Sequence, residues 1–271
     1  MAKTGTFSPI IHIPEDERTP VDLQAVRIVN HIYEEVRSTM DTERSRQQKI
    51  GISEYGAECR RCVARKLSLQ YVKINDPSWK AQMGTFGHAG MDEHFTEKYV
   101  ALQAPDAIAT DEKPLYYAER RVEVMSYKGL ELGGSCDLYI QGATYGIVVD
   151  WKFQGDYSLK KSAKGQISRA YTVQMHTYGF GYELLGLPVT HVLLYALPRD
   201  GELWEAKPNL MRYDRQLVID ELADIQRMID TAEIVGWQKL IDAQPRAGYC
   251  PDCDAYERHE RDEPFAWLDA G

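Results

Sequence analysis

Gly133–Gly134–Ser135–Cys136–Asp137–Leu138–Tyr139–Ile140 is followed, after a glycine-containing turn, by Gly146–Ile147–Val148–Val149–Asp150–Trp151–Lys152–Phe153. These are the hearts of two apolar, β-leaning stretches, Leu130 to Gln141 and Tyr145 to Phe153. A buried strand rich in Val and Ile has little reason to finish in Asp-x-Lys unless its polar end is used. The pair predicts two carboxylates and an ammonium on neighbouring strand ends, an arrangement that holds a divalent cation beside a phosphodiester. Lys152 stands two residues from Asp150, so on a strand both side chains take the same face.

Working outward, alternation broken by Gly turns from about Asp111 to Phe153 predicts three strands in a meander. Val189 to Leu197 reads as a further buried strand, with Leu203 to Ala206 as a short partner. Helical spacing marks Val21 to Val36 behind Pro20, Ser53 to about Val72, Ser78 to Tyr99, Lys160 to Leu185 and Arg212 to Ile241. Cys59 and Cys62 fall one turn apart on the second of these helices. Gly84, Gly87 and Gly90 surround His88 on the third and predict close approach of another backbone or of a ligand. The order predicts an α/β fold, a central mixed sheet flanked by helices with an N-terminal helical part. The domain is expected over 19–259, between a loose tail at 1–18 and an acidic tail at 260–271.

Of the 271 residues, 27% are charged and 44% hydrophobic, the balance of a soluble globular protein. No apolar run approaches the roughly 20 residues that cross a bilayer, and the N-terminus lacks a signal-peptide core, so a cytoplasmic protein away from membranes is expected. A net charge of -9 argues against gripping duplex DNA by bulk electrostatics. It leaves room for an enzyme acting on nucleic acid through local basic patches. Arg60, Arg61, Arg65 and Lys66 form one, and Lys160, Lys161, Lys164 and Arg169 another; the plain reading of each is a solvated helix face.

Asp137 and Asp150 can share Mg²⁺ or Mn²⁺, hard cations that prefer oxygen ligands. Lys152 can orient an attacking water or neutralise charge on a phosphate. His88 is a candidate nitrogen ligand from a flanking helix. Gln174 and Tyr178 are four residues apart on a predicted helix and so share a face, with His176 between them and off it. That face can hydrogen-bond a phosphate, a base edge or the lysine; equally, it can be an aromatic packed on the sheet. Four of the five cysteines form Cys59-x-x-Cys62 and Cys250-x-x-Cys253, a strong metal signal whose general reading is Zn²⁺ on four thiolates. Cys136 reads as a small core residue.

Taken in order, this set resembles the RecB-like branch of the PD-(D/E)XK nucleases, which includes CRISPR-associated and phage exonucleases. That pattern has a His on a helix, an Asp ending one strand, an Asp/Glu-x-Lys ending the next, and a Gln-x-x-x-Tyr helix. His88, Asp137, Asp150 with Lys152, and Gln174 with Tyr178 match it, and the 13 positions from Asp137 to Asp150 are similar to the family spacing. The resemblance covers about residues 53 to 259; Cys136 stands where the family name has Pro. It implies a restriction-endonuclease-like core and Mg²⁺- or Mn²⁺-dependent hydrolysis of DNA by a metal-activated water, chiefly as an exonuclease on single-stranded or free ends. A helicase or recombination partner would be a separate protein, in a bacterial cell or phage-infected host.

The resemblance also implies an iron–sulfur cluster that staples one cysteine before the nuclease core to three after it, the last lying six positions beyond a Cys-x-x-Cys. Cys250 and Cys253 fit, but His259 occupies the sixth position. With Cys59 as the N-terminal cysteine and Cys62 as the fourth thiolate, the set becomes a [4Fe–4S] cluster on Cys59, Cys62, Cys250 and Cys253. The ligand count serves zinc equally well. Two other readings stand beside the nuclease: a catalytically silent, metal-stapled DNA-binding or adaptor protein on the same fold, and a phosphodiesterase acting on RNA.

Overall fold

A computed structural model describes residues 15–17, 19–20, 50–69 and 79–262. The helix predicted over Val21 to Val36, most of the N-terminal tail and the acidic tail after Asp262 lie outside the described residues. The described residues divide between two compact units; 15–17, 19–20 and 79–82 belong to the first, and the architecture below is that of the second, to which the helix beginning at Trp79 belongs from Met83 on.

Its centre is a five-stranded sheet whose strands lie side by side in sequence order: β1 (Leu115–Tyr127), β2 (Leu130–Gln141), β3 (Gly146–Gln154), β4 (His191–Pro198) and β5 (Lys207–Arg212). β1, β2 and β3 form the predicted antiparallel meander; β4 runs parallel to β3, and β5 antiparallel to β4. Lys128 and Gly129 join β1 to β2 with φ of 46° and 84°, the two left-handed residues that a tight hairpin of matching twist demands.

In chain order the helices are α1 (Ile52–Tyr55), α2 (Arg60–Leu67), α3 (Trp79–Lys98), α4 (Asp156–Ser162), α5 (Arg169–Leu184), α6 (Arg215–Val235), α7 (Trp237–Ala243) and α8 (Pro251–Asp262). Three predicted helices are each two. Ser53 to Val72 resolves into α1 and α2, and Cys59 is the N-cap of α2 rather than a helical residue. Lys160 to Leu185 breaks around Gly165, whose φ of +68° stops α4. Ser168 then caps α5 by accepting from the Tyr171 N–H at 3.3 Å. Arg212 to Ile241 breaks at Gly236, φ +85°, and Arg212 itself ends β5. The predicted strand Leu203 to Ala206 is a 3-10 turn, Leu203–Glu205, and the partner of β4 begins at Lys207. Pro208 is tolerated in β5 because that strand is the sheet edge.

The sheet buries both faces. One carries Val122, Leu132, Cys136, Val148, Val192, Leu194 and Ala196 against α5, α6, α7 and the short α1 and α2. The other carries Leu138, Val149, Trp151 and Leu197 against Met91 and Phe95 of α3. A side chain at Gly87 would meet the Phe153 ring at 2.4 Å, so the predicted close approach exists and its occupant is Phe153. Around Gly84 and Gly90 nothing described lies within 4 Å.

The topology sets aside one place for chemistry. Pairing of β2 with β3 runs from Gln141↔Gly146 to Leu138↔Val149 and stops there. From Asp150 to Gln154, β3 continues against β4 alone. The two strands therefore part where Asp137 and Asp150 follow, which leaves one edge of β3 open beside the carboxylates.

Candidate active site

Asp137 and Asp150 were expected at strand ends; both are interior to their strands, at the end of the shared ladder instead. Regular alternation fails at Asp137. Cys136 packs into the core beneath α5 and α6, whereas Leu138 packs on the opposite face. Across the β1–β2 ladder Glu119 has φ 44°, unusual for a residue with a side chain, and it interrupts the pairs on either side of Asp137. The Asp137 carboxylate turns into the gap and accepts from the Trp151 backbone N–H at 2.8 Å, a donor that β2 no longer serves. His88, carried in by α3, places its Nδ1 3.2 Å from the same Oδ2 and packs edge-on against Phe153, ring centres 5.8 Å apart.

Asp150 is wholly buried. Its Oδ1 accepts from Gln174 Nε2 at 3.1 Å, and its Oδ2 faces the Lys152 ammonium at 2.6 Å. The Lys152 ammonium meets this oxygen in a charge-assisted contact inside the buried site. Burial pushes the Asp150 carboxyl up to about 6 against the opposing pull of Lys152, and the Asp137 charge pushes the same way as burial. Lys152 is the converse: burial favours its neutral amine, yet Asp150 and Asp137 hold the ammonium above its ordinary range. The Lys152 ammonium also lies 5.1 Å from the centre of the Tyr171 ring.

Gln174 and Tyr178 lie one turn apart on α5, which is buried on all sides from Val173 to Tyr182. Burial raises the Tyr178 hydroxyl well above its usual range, with Gln174 as hydrogen-bond partner and Cys136, Asp150 and Asp137 in its field. Tyr178 is therefore neutral and links Gln174 to the core. His176 turns away and accepts the Asp214 N–H at 2.9 Å on Nδ1, a structural role. Tyr171 was not singled out in the sequence. Its signal was available, since it stands three residues before Gln174 on the same helix face.

The two carboxylates thus lie within one electrostatic cluster, held in pairs: His88 on Asp137, Lys152 and Gln174 on Asp150. Carboxylate oxygens with an imidazole beside them fit a hard divalent cation. Among the described residues, the only His, Cys, Asp or Glu group whose ligand atoms are already gathered for a metal is a different one. Cys59, Cys62, Cys250 and Cys253 are buried together, with sulfur–sulfur distances of 3.5 Å (Cys59–Cys253), 3.4 Å (Cys62–Cys250) and 3.3 Å (Cys62–Cys253). Burial raises the Cys59 thiol, but backbone hydrogen bonds from Ala247 and Cys62 outweigh it and bring the thiol down to about 7. Burial and the neighbouring sulfurs push Cys62 upward, and burial first of all pushes Cys253 up to about 11. Four thiols this close accept one charge readily and resist more, which a bound cation relieves. The side chain of His259 lies outside the described residues; Cys136 is a core residue, as expected.

The first basic patch is not a surface. Arg60 ties the Tyr55 carbonyl at 2.7 Å and pairs with Asp224 and with buried Glu221. Arg61 donates to the Gln244 and Asp242 carbonyls, both at 3.3 Å. Arg65 reaches Cys253 and stacks on Tyr256, and Lys66 pairs with Glu54. From the second patch, Arg169 is likewise spent on Glu221 and the Gly56 carbonyl. Lys160, Lys161 and Lys164 remain solvent-facing. Of the three, Lys161 lines a cavity of about 450 Å³ that it shares with Glu58, Tyr157, Gln166, Ser168 and Tyr171 among others.

Comparison with solved structures returns distant likenesses. The chain resembles the crystal structure of an alkaline exonuclease from Laribacter hongkongensis at 12% identity and a TM-score of 0.48, over 71% of this chain and 93% of that one. The same exonuclease in complex with dAMP gives a TM-score of 0.45 at 12% identity, over 69% and 89%. A candidate exonuclease from Eubacterium rectale gives 0.43 at 11% identity, over 76% and 87%. No protein-family model and no curated protein matches the chain. The mixed five-stranded sheet between helices is an α/β architecture. No described helix is long and apolar enough to cross a membrane.

Proposed function

We propose that the protein is a divalent-metal-dependent nuclease that hydrolyses DNA phosphodiesters, acting as an exonuclease on single-stranded ends. The observation that carries this reading is Asp150: a buried carboxylate with Gln174 on one oxygen, Lys152 on the other, and Asp137 at the next position beyond the last β2–β3 rung. An ion pair kept only for stability has little reason to gather a second carboxylate and an imidazole at the same opening of the sheet.

Asp137 and Asp150, with His88, are the residues that would hold Mg²⁺ or Mn²⁺. A cation bound there polarises a phosphoryl oxygen and lowers the pKa of a coordinated water. Lys152 stays protonated between two carboxylates and an aromatic face, so its role is electrostatic: it faces charge that builds on the phosphate and needs no proton exchange to do so. Gln174 fixes the Asp150 carboxylate plane through Oδ1, and Tyr178 fixes Gln174.

The strand approaches past Tyr171, over the cavity bordered by Lys161 and Tyr157. The Lys161 ammonium lies 4.6 Å from the centre of the Tyr157 ring, and that ring is 74% exposed. An exposed aromatic beside solvent-facing lysines suits an unpaired base and its phosphate better than a duplex. The resemblance to the RecB-like nucleases points to the same substrate.

End-labelled single-stranded DNA, duplex DNA and RNA incubated with Mn²⁺, Mg²⁺ or EDTA test the proposal. Metal-dependent shortening of the single-stranded DNA label is the expected result. DNA binding without cleavage under any metal would instead favour the adaptor reading, and preferential loss of RNA the alternative phosphodiesterase.

A further inference from the structure

The thiolate cluster differs in shape from the cluster that the resemblance implies. In a [4Fe–4S] centre the four cysteine sulfurs cap the corners of a cube, which sets them roughly 6 Å apart. Here the ligand atoms of Cys59, Cys62, Cys250 and Cys253 all lie within 4.8 Å of one another, and three pairs lie at 3.3–3.5 Å. A body of four irons and four sulfides does not fit among them. A single ion with metal–sulfur bonds of about 2.3 Å in tetrahedral geometry requires sulfurs about 3.8 Å apart. The observed spacing is close to that.

The two segments that carry the cysteines are tied together outside the cluster as well. The Arg61 N–H donates to the Pro245 carbonyl at 3.2 Å, and the Arg61 guanidinium donates to the carbonyls of Gln244 and Asp242. These bonds tie the start of α2, which carries Cys59 and Cys62, to the segment leading into Cys250 and Cys253. Both pairs also share one local design. Cys59 caps α2 with Cys62 in its first turn; Cys250 precedes Pro251, the first residue of α8, with Cys253 in its first turn. Each helix start offers N–H groups and a positive dipole end to a thiolate. Arg65 adds a full charge, donating to Cys253 Sγ at 3.5 Å while stacked 4.1 Å from the Tyr256 ring centre. Four buried thiolates complete a tetrahedral shell and leave no open position for substrate or water.

We infer that Cys59, Cys62, Cys250 and Cys253 hold one structural zinc ion in place of an iron–sulfur cluster. The site lies apart from Asp150 and involves no DNA, so it stands or falls independently of the nuclease reading.

The test is metal analysis of the full-length protein purified without oxygen from cells supplied with both iron and zinc. The expected result is about one zinc per chain, no acid-labile sulfide and no broad visible absorption. Exchange with Co²⁺ should then give the intense visible bands of a tetrahedral cobalt tetrathiolate, retained in Cys136→Ala and lost in Cys62→Ser. A brown protein with iron and sulfide in equal amounts would overturn the inference. So would protein that arrives metal-free and takes up neither Zn²⁺ nor Co²⁺.

Discussion

The Lys152 ammonium lies 2.6 Å from Oδ2 of Asp150, a carboxylate with no exposure to solvent. Even with this partner, burial raises the Asp150 carboxyl from an ordinary 3.8 to about 6. An acid whose folded value is raised favours the fold while it is protonated; that contribution is complete below pH 3.8 and is lost as pH rises through 6. Asp150→Asn removes the dependence. Without added divalent metal, the Tm of the variant minus that of the wild type should grow from about pH 4 to about pH 6 and then level off. A pH-independent difference would show that burial does not control this group. The same proton competes with a cation, so wild-type Mn²⁺ affinity should weaken about tenfold per pH unit below 6.

His88 touches Asp137 from the helix on the opposite face of the sheet. His88→Ala should weaken Mn²⁺ binding by about 10–100-fold, as loss of a ligand or of its orienting partner does. Cleavage should recover at saturating Mn²⁺. Calorimetric titration with Mn²⁺ would expose a purely structural histidine by leaving affinity unchanged while Tm drops.

The two basic patches should separate by experiment. Arg60→Ala leaves Glu221 buried with one cation fewer and should cost about 1–3 kcal/mol of stability, with single-stranded DNA affinity unaltered. Lys161→Ala should do the reverse, sparing Tm while reducing the slope of log affinity against log salt by about 0.7. Thermal melts beside salt-dependent binding isotherms decide the matter, and an unchanged slope for Lys161→Ala would remove the cavity from the proposed DNA path.

The thiolate clamp joins segments 188–194 residues apart in sequence. Stripping its metal with a strong chelator should lower Tm by roughly 10 °C, about 3–4 kcal/mol at 2–4 °C per kcal/mol for a chain of this size. Chelator scans on Cys253→Ser, which lacks a complete shell, should show no further drop.

The strands of the meander were legible because each buries at least one apolar face, which stamps period 2 on the sequence. Asp150 and Lys152 stood out against that background as polar residues where none was needed. The helix breaks at Gly165 and Gly236 were not legible, because apolar residues on both sides keep helical spacing across them; only the positive φ reveals the stop. β5 was misplaced because an edge strand with alternate polar residues and Pro208 carries little strand signal. The roles of Arg60 and Arg169 depend on Glu221, 161 and 52 residues away, and no local pattern encodes such a pair. Tight spacing of the four sulfurs is likewise a property of the fold, since two Cys-x-x-Cys motifs read the same for zinc and for iron–sulfur.

Lys152→Met removes the ammonium and keeps Asp137, Asp150 and His88. Cleavage of labelled single-stranded DNA by wild type and variant would be compared at saturating Mn²⁺, with Mn²⁺ binding measured on the same preparations. The variant should bind Mn²⁺ and DNA yet cleave at least about 100-fold more slowly. A folded Lys152→Met protein that cleaves at the wild-type rate would contradict the electrostatic role of Lys152.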